Sequence, residues 1–160
     1  MKKLVVAGIV CSFFLSLMGC SKNETSNGLN EVIKAGGYDS EEAIKKGDVV
    51  STALGDYNLE TFQEFLTNFS NKKEDTVRIT GYTHEGDPIF QDLRFDGEVI
   101  HYSYDNSHDQ YGVPENVEDV CKAILTEEAA DNRVDFVISD CSTIDDHYLI
   151  QVRKSQITYD

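Results

Sequence analysis

Positive charge is scarce in this sequence. Fourteen Lys and Arg stand against 29 Asp and Glu, a formal net charge of −15. So acidic a surface repels phosphate backbones and anionic headgroups, so no nucleic acid is expected as a partner. Long apolar runs are scarce too. Leu4 to Met18 is a run of fifteen uncharged residues, short of the roughly 20 a helix needs to cross a bilayer. The motifs that carry chemistry are missing. There is no GxSxG elbow, no phosphate-cradling glycine loop, and no HxH or HExxH spacing among His84, His101, His108 and His147. No catalytic residue, metal ligand or cofactor is therefore expected. No internal repeat is visible.

What is present at the start of the chain is an address. Lys2 and Lys3 precede the apolar run, the charge and length pattern of a signal peptide. Leu17-Met18-Gly19-Cys20 resembles the lipobox of bacterial lipoproteins. The resemblance implies a diacylglyceryl group on the Cys20 thiol and cleavage before Cys20. Each buried CH₂ of such chains contributes about 0.8 kcal/mol, enough for two or more chains to hold a protein on a membrane. Residues 1–19 are expected as signal peptide, 20–37 as lipidated Cys and polar tether, and 38–160 as a single domain on the extracytoplasmic face of the cell membrane. Losing the first 19 residues removes two lysines and no acid, leaving 12 Lys and Arg against 29 Asp and Glu. Cys11 leaves with the signal and Cys20 carries the lipid. Cys121 and Cys141 remain, and an oxidising compartment favours one disulfide between them.

Along the domain, Asp39 to Lys46 reads as a short helix, with acids in its first turn, lysines in its last and Gly47 as its stop. Asp48 to Ser51 is extended, an edge strand. Asn58 to Ser70 is the best helix: Phe62, Phe65, Leu66 and Phe69 fall at i, i+3, i+4 and i+7, and Asn58 is its expected cap. Thr76 to Tyr104 reads as three antiparallel strands. Asp96-Gly97 lies between two alternating runs and favours a two-residue type I′ loop. Such a loop sets Leu93 opposite Ile100, Gln91 opposite Tyr102, Ile89 opposite Tyr104 and Asp92 opposite His101. Residues 117–126 fit helical spacing (Val117, Val120, Cys121, Ile124) and also alternate, so helix is favoured and strand stays open. Val134–Cys141 and His147–Lys154 form a hairpin, with Tyr148, Ile150 and Val152 on one face. The expected class is α+β: an antiparallel sheet of about five strands, the 76–104 meander plus the 134–154 hairpin, with two or three helices on one face.

The polar side of the meander, Asp92, Arg94 and His101, together with Glu85 in the 84–87 turn and Asp105 and Asp109 in the 105–112 loop, is the candidate binding face. Asp105, Ser107 and Asp109 alternate as ligands do in a calcium loop, but Gln110 and Asn116 stand where that motif needs Gly and Glu. A hydrogen-bonded turn is expected there instead. Glu85 and Asp87 on an exposed turn lack the buried, raised-pKa carboxyl that glycosidic chemistry needs. The expected function is a non-enzymatic envelope module that binds a protein, peptide or wall component. The alternative is an envelope hydrolase or metal-dependent enzyme using the polar sheet face.

Several blocks together carry a resemblance: Gly47-Asp48-Val49-Val50, Asn58 with its Phe-rich helix, Arg78-Ile79, Tyr82-Thr83, Glu85-Gly86-Asp87-Pro88-Ile89, Asp96-Gly97, Tyr104-Asp105-Asn106-Ser107, Cys121-Lys122 and Cys141. Over about residues 38–153 the chain resembles the family catalogued as domain of unknown function 4362. Its members are small secreted proteins or lipoproteins of low-GC Gram-positive bacteria. The resemblance implies an envelope setting and a shared fold, and it brings no catalytic residue. Val113 departs from it, standing where a second Gly after Gly112 is expected.

Overall fold

The computed structural model describes residues 37–52 and 55–158. The expected signal peptide, Cys20 and the tether up to residue 36 lie outside the described residues.

Helix α1 (Ser40–Lys46) forms as its ends dictate. Asp39 accepts a hydrogen bond from the Glu42 N–H at 2.8 Å, and Gly47 closes the helix at φ 94°, where a Cβ would be strained. Strands β1 (Val49–Thr52) and β2 (Gly55–Tyr57) follow, then helix α2 (Leu59–Ser70). Asn58 precedes α2 but does not cap it with its side chain. It sits at φ 54°, and its amide donates instead to the Ile44 and Asp48 carbonyls at 2.9 and 2.8 Å. The residue expected to start α2 thus ties it to the end of α1.

The meander is present as β3 (Asp75–Tyr82), β4 (Pro88–Phe95) and β5 (Ile100–Asp105). Its second turn differs from expectation. Phe95 pairs with Ile100, so the loop is four residues, Asp96 to Val99. Asp96 Oδ1 accepts from the N–H groups of Glu98 and Val99, and Gly97 takes φ 94°. This side-chain turn outcompetes the two-residue hairpin. The register moves by two: Leu93 opposes Tyr102, Gln91 opposes Tyr104 and Arg94 opposes His101. A shift of two preserves the faces, so the apolar side survives while every pair changes partner.

The expected helix at 117–126 is two strands, β6 (Asn116–Cys121) and β7 (Ala123–Ala129). Val117, Asp119 and Cys121 oppose Tyr104, Tyr102 and Ile100 and alternate inward. Because one of the three is a carboxylate, the alternation was hidden in the apolar pattern. The chain leaves the first sheet at Lys122, whose N–H donates to Ser139 O at 3.3 Å, and β7 enters a second sheet with β8 (Arg133–Ser139) and β9 (His147–Arg153). A bulge between Phe136 and Val137 breaks the alternation of β9. Tyr148 consequently turns outward, 54% exposed, while Leu149, Ile150 and Val152 are buried.

The fold is α+β, with two sheets rather than one of five strands. A six-stranded mixed sheet runs β2-β1-β3-β4-β5-β6, and a three-stranded antiparallel sheet runs β7-β8-β9. Strand β1 is interior, parallel to β3 and joined to it through α2, with β2 at the edge. The helices divide between faces. α2 lies between the sheets: Phe62 meets Phe136 edge-on at 5.1 Å and Phe69 meets Phe95 at 4.9 Å. Tyr38, just before α1, packs at 5.3 Å against Phe90 on the opposite face. Phe62 and Phe65 are fully buried, and such side chains each contribute about 1.5–3 kcal/mol.

A polar chain crosses the core between the sheets. Gln91 on β4 donates from Nε2 to the Leu149 carbonyl at 3.0 Å, and its Oε1 accepts from the Tyr102 hydroxyl at 2.9 Å. His147 Nδ1 meets the same hydroxyl. With the phenol proton committed to Gln91, the Nδ1–H tautomer of His147 lets that ring nitrogen donate to the hydroxyl oxygen. Burial pushes the His147 pKa down and the Tyr102 pKa up, so both stay neutral.

Candidate functional site

Alternation on β4 and β5 sends Asp92, Arg94, His101 and Ser103 to the side away from the core. Glu118 and Val120 of β6 extend that face, and Ser142 rims it. Together they line an open depression of about 450 Å³. The expected residues Asp92, Arg94 and His101 are therefore neighbours, but the expected Asp92–His101 pair does not form. Asp92 opposes Ser103 and is held by Arg78 through two hydrogen bonds, at 2.6 and 2.7 Å. That bonding raises the Arg78 pKa further. His101 Nε2 instead meets Asp96 Oδ2 at 2.7 Å. The N–H of Val99, His101 and the N–H of Glu98 hold the Asp96 carboxyl well below the usual range. Arg94 is exposed, and among the described residues no hydrogen bond or ion pair engages its guanidinium.

The remaining candidates gather at the other end of the sheet. Glu85 is exposed in the β3–β4 turn. Asp87, expected on the same exposed turn, is fully buried: its carboxylate accepts from Gln110 N at 3.0 Å and Gln110 Nε2 at 3.4 Å, fastening the 105–112 loop to this turn. Asp105 accepts from Ser107 N, and the Ser107 side chain and N–H hold its pKa down. Asp109 accepts from the N–H groups of Tyr111 and Gly112. Asp105 and Asp109 thus accept from backbone donors of their own loop, as a hydrogen-bonded turn requires. Among the described residues no group of three or more His, Cys, Asp or Glu is placed to hold a metal ion. The loop folds back so that His108 stands edge-on to Phe90 at 5.7 Å. This leaves the β4–β6 half of the face open.

Asp119 is the polar residue that sequence reading missed. Its buried carboxylate accepts from Ser142 N, Thr143 N, Thr143 Oγ1 and Ile144 N at 2.8–3.1 Å, and from Val120 N at 2.7 Å. Burial alone would raise its pKa, but this ring of donors holds it far below the carboxylate range. It shapes the loop that rims the depression. Beside it Cys121 and Cys141 are joined by a disulfide. An aspartate alternating between two apolar residues at 117–121 was its one sequence signal.

The class these features define is a small α+β domain of two sheets wedged by a helix, with an open polar face on the larger one. Residues 46–134, more than half of the chain, match the family described as Domain of unknown function (DUF4362), and the chain belongs to that family. No curated protein and no solved structure matches it.

Proposed function

We propose that the chain is a lipid-anchored binding module on the extracytoplasmic face of a bacterial cell membrane, with the β4–β6 polar face as its contact surface. Arg94 carries this reading: an exposed guanidinium without a partner among the described residues, set in an open depression beside His101, Ser103 and Ser142. An unengaged fork of donors suits an anionic group on an envelope protein, a peptide or a wall component. Two carboxylates weighed for catalysis, Asp87 and Asp92, and two weighed for a calcium loop, Asp105 and Asp109, support it too, because each is committed to a structural hydrogen bond.

Two measurements test the proposal. Metabolic labelling with a fatty-acid analogue tags the wild type and not Cys20→Ala; equal labelling refutes the anchor. A photo-crosslinker at Val120, used in intact cells, gives an adduct that a crosslinker at Glu64 does not, and Arg94→Ala removes it. Turnover of an envelope substrate by the purified protein, abolished when Asp92, Arg94 and His101 are all Ala, would replace this reading with the enzymatic one.

A further inference from the structure

An exposed strand edge is a template for pairing, and proteins normally blunt theirs. Among the described residues the two sheets have four edges, and three of them are managed. β2 is three residues long. β6 is crossed by Ser142, whose N–H and hydroxyl both donate to Val120 O. β9 is bulged, and its Leu149 carbonyl is taken by Gln91. β7 has none of these devices. It is seven residues, Ala-Ile-Leu-Thr-Glu-Glu-Ala, with no Pro, no Lys and no register shift against β8, its sole strand partner among the described residues. In an antiparallel strand the main-chain groups of alternate residues turn away from the partner, so β7 presents a row of donors and acceptors outward.

Beside this edge lies a groove of about 380 Å³ between α2 and the small sheet, lined by Leu66 and Phe69 from the helix and by Ile124, Thr126 and Phe136 from the strands. Leu125 on the other side of β7 is 43% exposed. The charges at the edge are also unbalanced. Glu127 stands directly opposite Asp135 in the β7–β8 ladder, an unfavourable like-charge pair. Asp135 is relieved by Gln151 Nε2 at 2.7 Å and Glu128 by Lys154, but Glu127 has no cation among the described residues.

We infer that the β7 edge binds an extended segment of a second protein by strand addition. The segment alternates apolar residues with Lys or Arg. On the added strand, residues on the side of Ile124 and Thr126 enter the groove under α2, where Leu66 and Phe69 receive apolar side chains. A residue on the other side places its cation against Glu127. Main-chain hydrogen bonds supply affinity, and the groove and the glutamate supply the choice of sequence. This surface is separate from the β4–β6 face and does not depend on it.

The test uses the full chain and a fluorescent peptide of alternating Val and Lys. Binding is read by anisotropy and located by amide hydrogen exchange. The peptide is expected to slow exchange in residues 123–129 and to leave β4–β6 unchanged. Glu127→Lys, a surface change that spares the fold, should weaken binding about tenfold. A peptide alternating Val and Glu should prefer that variant. Arg94→Ala should leave the Val–Lys peptide bound as before. The inference is overturned by equal affinity for wild type and Glu127→Lys, or by protection that misses residues 123–129. A concentration-dependent dimer that slows exchange in those residues without peptide would overturn it in favour of self-pairing.

Discussion

Gln91 stands on the face where alternation places apolar residues, and replacing it is the sharpest probe of how the two sheets are joined. Gln91→Leu keeps the volume close and removes both polar ends. The Leu149 carbonyl loses its donor, and the Tyr102 hydroxyl loses Gln91 as acceptor and keeps only His147 Nδ1, in surroundings where both are buried. Orphaning a buried polar group costs about 1–3 kcal/mol, and the added apolar surface offsets part of it, so a net loss of about 2 kcal/mol is expected. Tyr102→Phe strips the hydroxyl shared by Gln91 and His147, for about 1–2 kcal/mol. The Gln91–Tyr102 bond can be lost only once. The double variant should therefore be less destabilised than the two singles added together, by about 1 kcal/mol. Urea unfolding followed by far-UV circular dichroism measures the cycle, provided the slope m stays constant across the four proteins. Additivity to within about 0.3 kcal/mol, or a Gln91→Leu variant more stable than wild type, would refute the view that this polar chain holds the sheets together.

Phe65→Asp puts a carboxylate into a fully buried position and should unfold the domain, since that costs several kcal/mol against a typical total of about 5–15, whereas Glu64→Ala on the exposed side of α2 should leave the thermal midpoint almost unchanged. Opening the Cys121–Cys141 bond, which closes a separation of 20 residues, should cost about 3 kcal/mol; reductant and the double Ser variant should lower the midpoint alike, and an unmoved midpoint would refute the contribution. His147 is held neutral by burial, so the unfolded chain binds a proton more readily than the folded one. Its contribution is complete above pH about 6.5, falls as pH drops below that value, and levels off below the folded-state pKa. Wild type should therefore lose more stability than His147→Asn between neutral and mildly acidic pH, and parallel curves would contradict the assignment.

Where local chemistry settles the outcome, the sequence was sufficient to read it. Asp39 and Gly47 delimit α1, the spacing of Phe62, Phe65 and Phe69 makes α2, and alternation gives the meander and the last hairpin. The failures occurred where one side chain redirects the backbone. Asp96 builds a turn from its own carboxylate, which shifts the register by two and sends His101 to Arg94 and Asp96 rather than Asp92. Asp119 is buried because five donors surround it, a fact invisible in one dimension, and so strand 116–121 looked like helix. The division into two sheets depends on Lys122, where nothing in residue type announces a corner. The site shows the same split: Arg94 and His101 are on one face as alternation requires, but Asp92 is claimed by Arg78, a partner from a strand whose register to β4 no sequence feature specified.

The position of the disulfide has a consequence for how the domain is made. Cys121 ends β6 and Cys141 lies two residues past the end of β8, so the bond sits just beyond the Ala123–Ser139 pair that closes the β7–β8 ladder. The β7–β8 ribbon is local, turning through Asp131 and Asn132, both at positive φ, so its zippering alone brings the sulfurs together. A slip in the β7–β8 register would displace the segments that carry the two thiols relative to each other. They are the sole cysteines among the described residues. The bond thus makes the aligned ribbon permanent and fastens its open end to the last residue of β6.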